Sequence, residues 1–425
     1  MNQAKASIAV IGLGYVGLPL AALFLESGHT VYGIDVDASK IAKLKSQQSY
    51  LSDFTSKDIR AMFAGGRFHV SESFREIDRA DAIIICVPTP LNAQFEPDLT
   101  YVRSAMKNVL PYLRKGHLVV LESSTYPGTT EEELLPMIQS TGLVIGQSVF
   151  LAYSPERIDP GPHQSSLQLI PKVLGGVTEK CTETAKAVYG SIFNEVVVVS
   201  SPRVAEFTKL LENCQRLINI SFINELAVVS KKMDINLWEA IEAASTKPYG
   251  FTPYYPGPGI GGHCIPVDPL YLQWKAKQYG IDLKFIDLAH QVNESMPDYV
   301  AQKVSQHLAA LKPLNESKVF VLGVTYKKDV NDLRESSAIP IIEKLLAAGI
   351  KVSFHDPFIN RIEVSGHSLD GIALTKRNIQ QHDCLLILTD HSSISYGSLA
   401  SFSHLIFDTR NAMKMIEDRK NIILI

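Results

Sequence analysis

The chain of 425 residues is short of cysteine, of net charge and of uninterrupted apolar sequence, and each shortage excludes a class of protein. Five scattered cysteines cannot build a disulfide scaffold, and none stands at a paired metal-ligand spacing, so no metal is expected. A formal net charge of -3 provides no basic field for nucleic acid or for an acidic membrane surface. An anionic substrate would therefore need a local pocket of cations. The charge-free stretch 8–25, behind Lys5, imitates a signal peptide or a short membrane span, but three glycines and Pro19 interrupt it. The expected location is the cytoplasm. The remaining balance, 46% apolar and 20% charged, is that of an ordinary globular protein, and the length allows two or three domains.

Short β-branched runs alternate with helical stretches in the first third: SIAVIGLG, TVYGIDVD, DAIIICVP, HLVVLESST and VFLAYSPER. A second such region begins at Ser317 with KVFVLGVTY and continues through KVSFHDP, DCLLILTD and HLIFDTRN. Parallel sheets with right-handed crossovers account for both, so the expected class is α/β, two doubly wound Rossmann-like domains at the chain ends. Between them strand signals fade. The segment 202–234 reads as one long helix, followed by helices near 236–245, 269–279 and 287–311. The stretch 247–269, dense in Gly, Pro and Tyr, reads as loop. The expected domains are 1–200, a helical spacer at 201–312, and 313–425. Cys86 and Cys384 sit in apolar strand-like runs and Cys181 and Cys214 in helical segments, all four reading as structural.

Gly12-Leu13-Gly14-Tyr15-Val16-Gly17 follows an expected strand and opens an expected helix. The first glycine permits the turn, the second lets backbone amides approach a pyrophosphate, and the third lets helix and strand pack closely. Asp35 ends the next strand, where a carboxylate can accept both ribose hydroxyls and would repel a 2′-phosphate, so the cofactor expected is NAD. Lys40 reads either as a ribose or phosphate neighbour or as a solvated lysine at a helix start.

Cys264 stands apart from the other cysteines. It lies in Pro256-Gly-Pro-Gly-Ile-Gly-Gly-His-Cys-Ile-Pro-Val-Asp-Pro269, where Gly261 and Gly262 let a ligand or backbone come close and Asp268 can hold a water or proton near the sulfur. With IGLGYVGLP, VPTP, PDLTYV, ESSTYPGTTEE, YSPERIDPG, AEFTKLLENCQR and GVTYKKDVNDLRESSA in order, the chain resembles the UDP-glucose/GDP-mannose dehydrogenase family along nearly its whole length. His263 and Val267 replace the serine and lysine usual in the glucose-oxidising branch, so the resemblance is to the UDP-N-acetylhexosamine branch.

That resemblance implies a four-electron oxidation of a C6 alcohol to a carboxylate, supplying a surface-polysaccharide precursor, with Cys264 forming a thiohemiacetal and then a thioester. It implies Lys209 and Asn213, spaced i, i+4 on one helix, as stabilisers of the oxyanions, and Asp268 as a base acting through water. Glu156 and Thr125 match positions that assist the hydrolytic water and lie near the nicotinamide, although Glu156 could equally be salt-bridged to Arg157. Tyr15, Val16, Thr89 and Arg334 join the cofactor set. Arg157, Arg216, Gly261, His263, Lys327 and Lys328 join the substrate set, with Tyr254 and Tyr255 stacking on uracil or simply packing. His263 is expected to orient substrate or pack rather than to deprotonate Cys264. The resemblance also implies a homodimer through the central helix. UDP-N-acetylglucosamine is the first substrate expected, ahead of UDP-N-acetylmannosamine, UDP-N-acetylgalactosamine or UDP-glucose. Rival readings are a single-step NAD-dependent hydroxyacid or sugar-phosphate dehydrogenase and a non-catalytic nucleotide-sugar binder.

Overall fold

The computed structural model describes residues 5–51, 54–157, 167–262 and 264–425. The chain divides into two compact units, Met1–Glu212 with Leu270–Asp282, and Asn213–Pro269 with Leu283–Ile425.

Described residues of the first unit form an eight-stranded sheet. Its strands are β1 (Ser7–Ile11), β2 (Thr30–Ile34), β3 (Phe68–Ser71), β4 (Ala82–Ile85), β5 (Leu118–Leu121), β6 (Phe150–Tyr153), β7 (Lys172–Gly176) and β8 (Val196–Val198). They lie in the order β3-β2-β1-β4-β5-β6-β7-β8, parallel throughout except for the β6–β7 pair. The central strands β4 and β5 are buried along their whole length, which is why they read as unbroken apolar runs rather than alternating ones. The helix Gly17–Glu26 is buried on almost every side. Strand, glycine turn and buried helix together explain the charge-free stretch that imitates a signal peptide. No helix among the described residues is long and apolar enough to cross a membrane.

The antiparallel direction of β7 changes which residues reach the ligand-binding edge. Its pairing sets Ala152 against Gly176 and Tyr153 against Gly175, so the start of β7 comes to the edge where β4, β5 and β6 end. That carboxyl edge is where open α/β sheets bind their ligands.

In the second unit, β9 (Lys318–Leu322), β10 (Lys351–His355), β13 (Cys384–Ile387), β14 (Ile406–Asp408) and β15 (Ile422–Leu424) form a parallel sheet ordered β10-β9-β13-β14-β15. A hairpin of β11 (Arg361–Val364) and β12 (His367–Asp370) stands beside it in sequence. Val319 and Val321 of β9 enter one apolar cluster while Phe320 and Leu322 enter another, so both faces of this sheet are covered.

The second sheet repeats the first turn of the first. Gly12 (φ +90°) is followed by the Leu13 amide donating to Asp35 Oδ2 at 2.8 Å; Gly323 (φ +79°) is followed by the Val324 amide donating to Asp356 Oδ2 at 2.8 Å. There the likeness stops. Asp356 Oδ2 is also 3.0 Å from Nε2 of the fully buried His391, and no second glycine follows Gly323 before the lysines. A carboxylate closed off by a histidine is not available to a ribose.

The long helix Pro202–Lys232 and the helices Leu237–Ser245 and Lys284–Ala309 stand where the periodicity put them. One expectation changes. The loop ends before Cys264, and a helix runs Cys264–Lys277. Pro266 is tolerated in the first turn, where a backbone N–H would have no helical acceptor, and only Pro269 sits deeper, leaving the Ile265 carbonyl without its usual donor. Prolines at both places made the segment look like loop.

Candidate active site

In the first unit, the three glycines of the first turn do different jobs. A Cβ on Gly12 would stand 2.6 Å from the Cys86 carbonyl oxygen, and one on Gly17 would stand 1.9 Å from the Gly12 carbonyl oxygen. Both are demanded by the protein itself. A Cβ on Gly14 would meet nothing within 4 Å, so its bareness serves something outside the fold. Tyr15 and Val16 complete the turn before the helix. Asp35 is more engaged than expected. Oδ2 accepts from the Leu13 amide and from Lys40 Nζ at 3.2 Å, and Oδ1 accepts from the Asp37 amide at 2.9 Å. Lys40 is thus the carboxylate's partner, and one lone pair of Oδ1 remains for a ribose hydroxyl. Thr125 lies at the same carboxyl edge, past β5; its hydroxyl is buried and has no hydrogen-bond partner among the described residues. Thr89, past β4, is buried, and its carbonyl accepts from the Tyr271 hydroxyl. An open Gly14, an orphaned Thr125 hydroxyl and a ribose acceptor at Asp35 together fit a dinucleotide.

Glu156 does not pair with the Arg157 guanidinium. Arg157 turns to Glu212, Nη2 to Oε1 at 2.6 Å, and to the Pro171 carbonyl. Glu156 instead faces Lys172: Oε2 is 3.4 Å from Nζ, while Oε1 accepts the Arg157 amide at 2.7 Å. Lys172 Nζ also reaches Glu122 Oε2 at 2.8 Å, and all three side chains are buried.

On the long helix, Lys209, Asn213 and Arg216 fall at i, i+4 and i+7, one stripe of its surface. Lys209 is 7% exposed and has no carboxylate within ion-pair distance among the described residues. A buried cation without a counter-ion suits an anion brought from outside. In the second unit, Asn213 Nδ2 donates to Asp268 Oδ2 at 2.7 Å, and Asp268 is fully buried. Four of the five cysteines are buried; Cys264, at the start of its helix, is the exception.

The segment before Cys264 is tied down by two asparagines that the sequence reading did not nominate and by the backbone of Arg334, which it had placed in the cofactor set. The Gly257 amide donates to Asn224 Oδ1 at 2.9 Å and the Ile260 amide to Asn293 Oδ1 at 2.6 Å. The Gly262 amide donates to the Arg334 carbonyl at 3.0 Å. A Cβ on Gly261 would stand 2.5 Å from the Glu335 carbonyl oxygen and 2.7 Å from Tyr326 Cβ. The close approach that these glycines permit is therefore made by the protein's own turn 326–335. That turn carries Lys327, Lys328 and Arg334. The Arg334 guanidinium lies on Asp332, Nη2 to Oδ2 at 2.7 Å, within the turn. Tyr255 stacks on Trp238, centroids 5.3 Å apart and planes 16° from parallel, so one of its faces is taken; Tyr254 is half-buried nearby in sequence. His263 lies outside the described residues.

Three family models match in sequence: the NAD-binding domain of the UDP-glucose/GDP-mannose dehydrogenase family at residues 6–193, its central domain at 203–295 and its UDP-binding domain at 320–415. The chain belongs to the UDP-glucose/GDP-mannose dehydrogenase family. It is an NAD-dependent oxidoreductase of that family, and its cofactor is NAD. A UDP-N-acetyl-D-mannosamine dehydrogenase of Methanococcus vannielii is 34% identical over 99% of this chain and 94% of its own. A UDP-N-acetyl-D-glucosamine 6-dehydrogenase of Pseudomonas aeruginosa is 32% identical over 98% and 99%. The solved UDP-D-ManNAc dehydrogenase of Pyrococcus horikoshii superposes with a TM-score of 0.88 at 32% identity, covering 98% of each chain.

What the sequence reading of this dehydrogenase missed has a common character. Asn224 and Asn293 are polar residues at apolar positions of helical repeats, and Lys172 opens an otherwise apolar strand. Arg410, whose Nη1 lies 2.6 Å from where a Gly257 Cβ would stand, follows the strand β14. A polar residue out of step with its pattern is the signal that would have found Asn224, Asn293 and Lys172; Arg410, in a bend, carries no such signal.

Proposed function

We propose that this dehydrogenase oxidises the C6 alcohol of a UDP-N-acetylhexosamine to the carboxylate through a covalent adduct on Cys264. The observation that carries the reading is the cysteine's setting: only partly buried, at the first residue of a helix, where the positive end of the helix dipole favours an anionic sulfur. Nothing in the core requires a cysteine there, and a single-step dehydrogenase needs no nucleophile.

The Gly12–Gly17 turn and Asp35 would hold NAD, the turn at its pyrophosphate and the carboxylate at its ribose, and the cofactor would supply the hydride acceptor for each of the two oxidations. Asp268, held by the Asn213 amide, takes the alcohol proton through water. The Lys209 ammonium and the Asn213 amide stabilise negative charge on the C6 oxygen. The Cys264 sulfur adds to the aldehyde carbon, and after the second oxidation the adduct is a thioester. Water then adds at that carbon, Glu156 taking its proton with Thr125 beside it. The carbon–sulfur bond breaks and the thiolate leaves. One alcohol, two NAD and one water give one carboxylate, two NADH and three protons.

Lys327 and Lys328 are assigned to the UDP pyrophosphate, with Arg157 and Arg216 in the substrate set and Tyr254 as the aromatic group for uracil. Arg334 serves mainly to shape the turn that carries them, given its pairing with Asp332. The division we assign is a cofactor segment at 1–200, a helical segment bearing the cysteine at 201–312 and a nucleotide-sugar segment at 313–425. Relatives bearing both the mannosamine and the glucosamine names support an N-acetylhexosamine; the sequence reading favours the glucosamine epimer, and the named relatives add weight to the mannosamine one. Val204, Phe207, Leu211, Phe222 and Val229 form an exposed apolar stripe on the long helix, which supports a homodimer formed through it.

The test is NADH formed per sugar consumed across a panel of UDP-sugars, for wild type and Cys264→Ala. Two NADH per UDP-N-acetylhexosamine, with no acid formed by the variant, is the expected result. One NADH per sugar, or acid production untouched by the substitution, would return the single-step reading.

A further inference from the structure

Four elements of the first unit send polar groups to one buried point. Cys86 follows β4, Glu122 follows β5, Glu156 follows β6, and Tyr189 ends the helix Glu179–Tyr189. Lys172 reaches the same point because β7 runs antiparallel to β6. Its ammonium contacts Glu122 Oε2 at 2.8 Å, the Pro155 carbonyl at 3.3 Å and Glu156 Oε2 at 3.4 Å. The rings of Tyr189 and Phe193 lie 5.5 and 5.4 Å from it. The Tyr189 hydroxyl donates to the other oxygen of Glu122.

Two buried carboxylates share one cation. Glu122 and Lys172 are 1% and 4% exposed, so neither can be served by solvent. Burial pushes the Glu122 carboxyl upward, while the two glutamates keep Lys172 protonated despite its own burial. Such an arrangement is a poor way to stabilise a fold, since apolar residues of equal volume do as well or better. Its outer member is Glu156, the group assigned above to the hydrolytic water.

We propose that Lys172 is a positioning residue for hydrolysis, fixing the rotamer of Glu156 from behind, with Glu122 and Tyr189 anchoring Lys172 in turn. The inference rests on the reading that Glu156 serves the water step. One oxygen of Glu156 is held by Lys172 and the other by the Arg157 amide, which together aim the carboxylate. Among the described residues, the cluster is also faced by Cys86, whose thiol burial pushes far up and keeps neutral, and Arg157, whose guanidinium is committed to Glu212.

The experiment compares Lys172→Arg, Lys172→Met and the charge-balanced pair Lys172→Met with Glu122→Gln, using UDP-N-acetyl-D-mannosamine and UDP-N-acetyl-D-glucosamine with NAD. The pair removes one buried charge of each sign, so it keeps the proposal falsifiable if Lys172→Met alone does not fold. Expected for the pair are an NAD KM near wild type and a kcat lowered at least tenfold. A sugar adduct should accumulate on Cys264 in the intact-protein mass spectrum. Lys172→Arg should restore kcat and clear the adduct. A lowered kcat without adduct would make Lys172 a merely structural residue and overturn the inference. Glu156→Gln separates the two layers: if it turns over like wild type, the assignment of Glu156 falls and this inference with it. If Glu156→Gln is impaired while the Lys172 variants accumulate no adduct, only this inference falls.

Discussion

Replacing Gly14 by alanine separates what the fold needs from what the cofactor needs. The new methyl would meet no protein atom within 4 Å, and Gly14 is not in the left-handed region, so the folded chain accepts it without strain. Loss of glycine's freedom in the unfolded chain then stabilises by about 0.4–1 kcal/mol. For a unit of this size that is a rise of roughly 1–3 °C in Tm. NAD should suffer the opposite. The methyl occupies the approach of the pyrophosphate to the turn, and one charge-assisted hydrogen bond lost there is about 1.5–3 kcal/mol, or roughly 10–150-fold in Kd. Gly17→Ala is the contrast: its methyl would stand 1.9 Å from the Gly12 carbonyl oxygen, so folding and NAD binding should fail together. Thermal melts without cofactor and calorimetric titration with NAD read both quantities. An NAD affinity equal to wild type in a folded Gly14→Ala protein would refute the assignment of that turn. A Tm lowered by several degrees would refute the claim that the site is open.

Gly261→Ala drives a methyl into the Glu335 carbonyl and Tyr326, and should destabilise by about 1–3 kcal/mol and abolish turnover. NAD affinity, set in the other unit, should stay at the wild-type value in the same titration. Glu206, buried and accepting from the Gly128 amide, the Thr130 amide and the Thr130 hydroxyl, is pushed by burial from the ordinary 4.5 up to about 7. Since its folded pKa lies above the unfolded one, its contribution is fully present below about 4.5 and is lost as pH rises through 7. Stability should thus fall by on the order of 3 kcal/mol across that window. Melts from pH 5 to 8 should show this slope in wild type and a flatter one in Glu206→Gln; parallel slopes would contradict it. For the proposed homodimer through the long helix, wild type should scatter light as a dimer and the protein with arginine at both Phe222 and Val229 as a monomer, with the wild-type far-ultraviolet dichroism kept. An unchanged mass would refute the stripe as a subunit surface.

The parts of this dehydrogenase that were legible in its sequence are the ones whose cause is local. The glycine spacing of Gly12, Gly14 and Gly17 follows from turn geometry and helix packing, and Asp35 from the length of one βαβ unit. The long helix showed in its periodicity, and the odd cysteine in its glycine-rich surroundings. What was misread also had a local look with a non-local cause. Two prolines made the start of the cysteine helix resemble loop, although one of them sits where a helix tolerates it. Gly261 and Gly262 read as room for a ligand or for backbone, and only the tertiary structure chose between them, bringing the turn 326–335 against both.

The sequence by itself determined two nucleotide-type α/β folds and an NAD turn and singled out one cysteine from five, because each depends on residues within a few tens of positions. Only the tertiary structure decided partners. It gave Glu156 to Lys172 rather than to Arg157, because a strand of opposite direction returns Lys172 to the carboxyl edge of the sheet. It gave Lys40 to Asp35 and Asn213 to Asp268. It also closed the second sheet's Asp356 with His391, two residues 35 positions apart that no local pattern connects. Pairing of charges is set by which strand ends meet, and sheet order is a property of the whole chain.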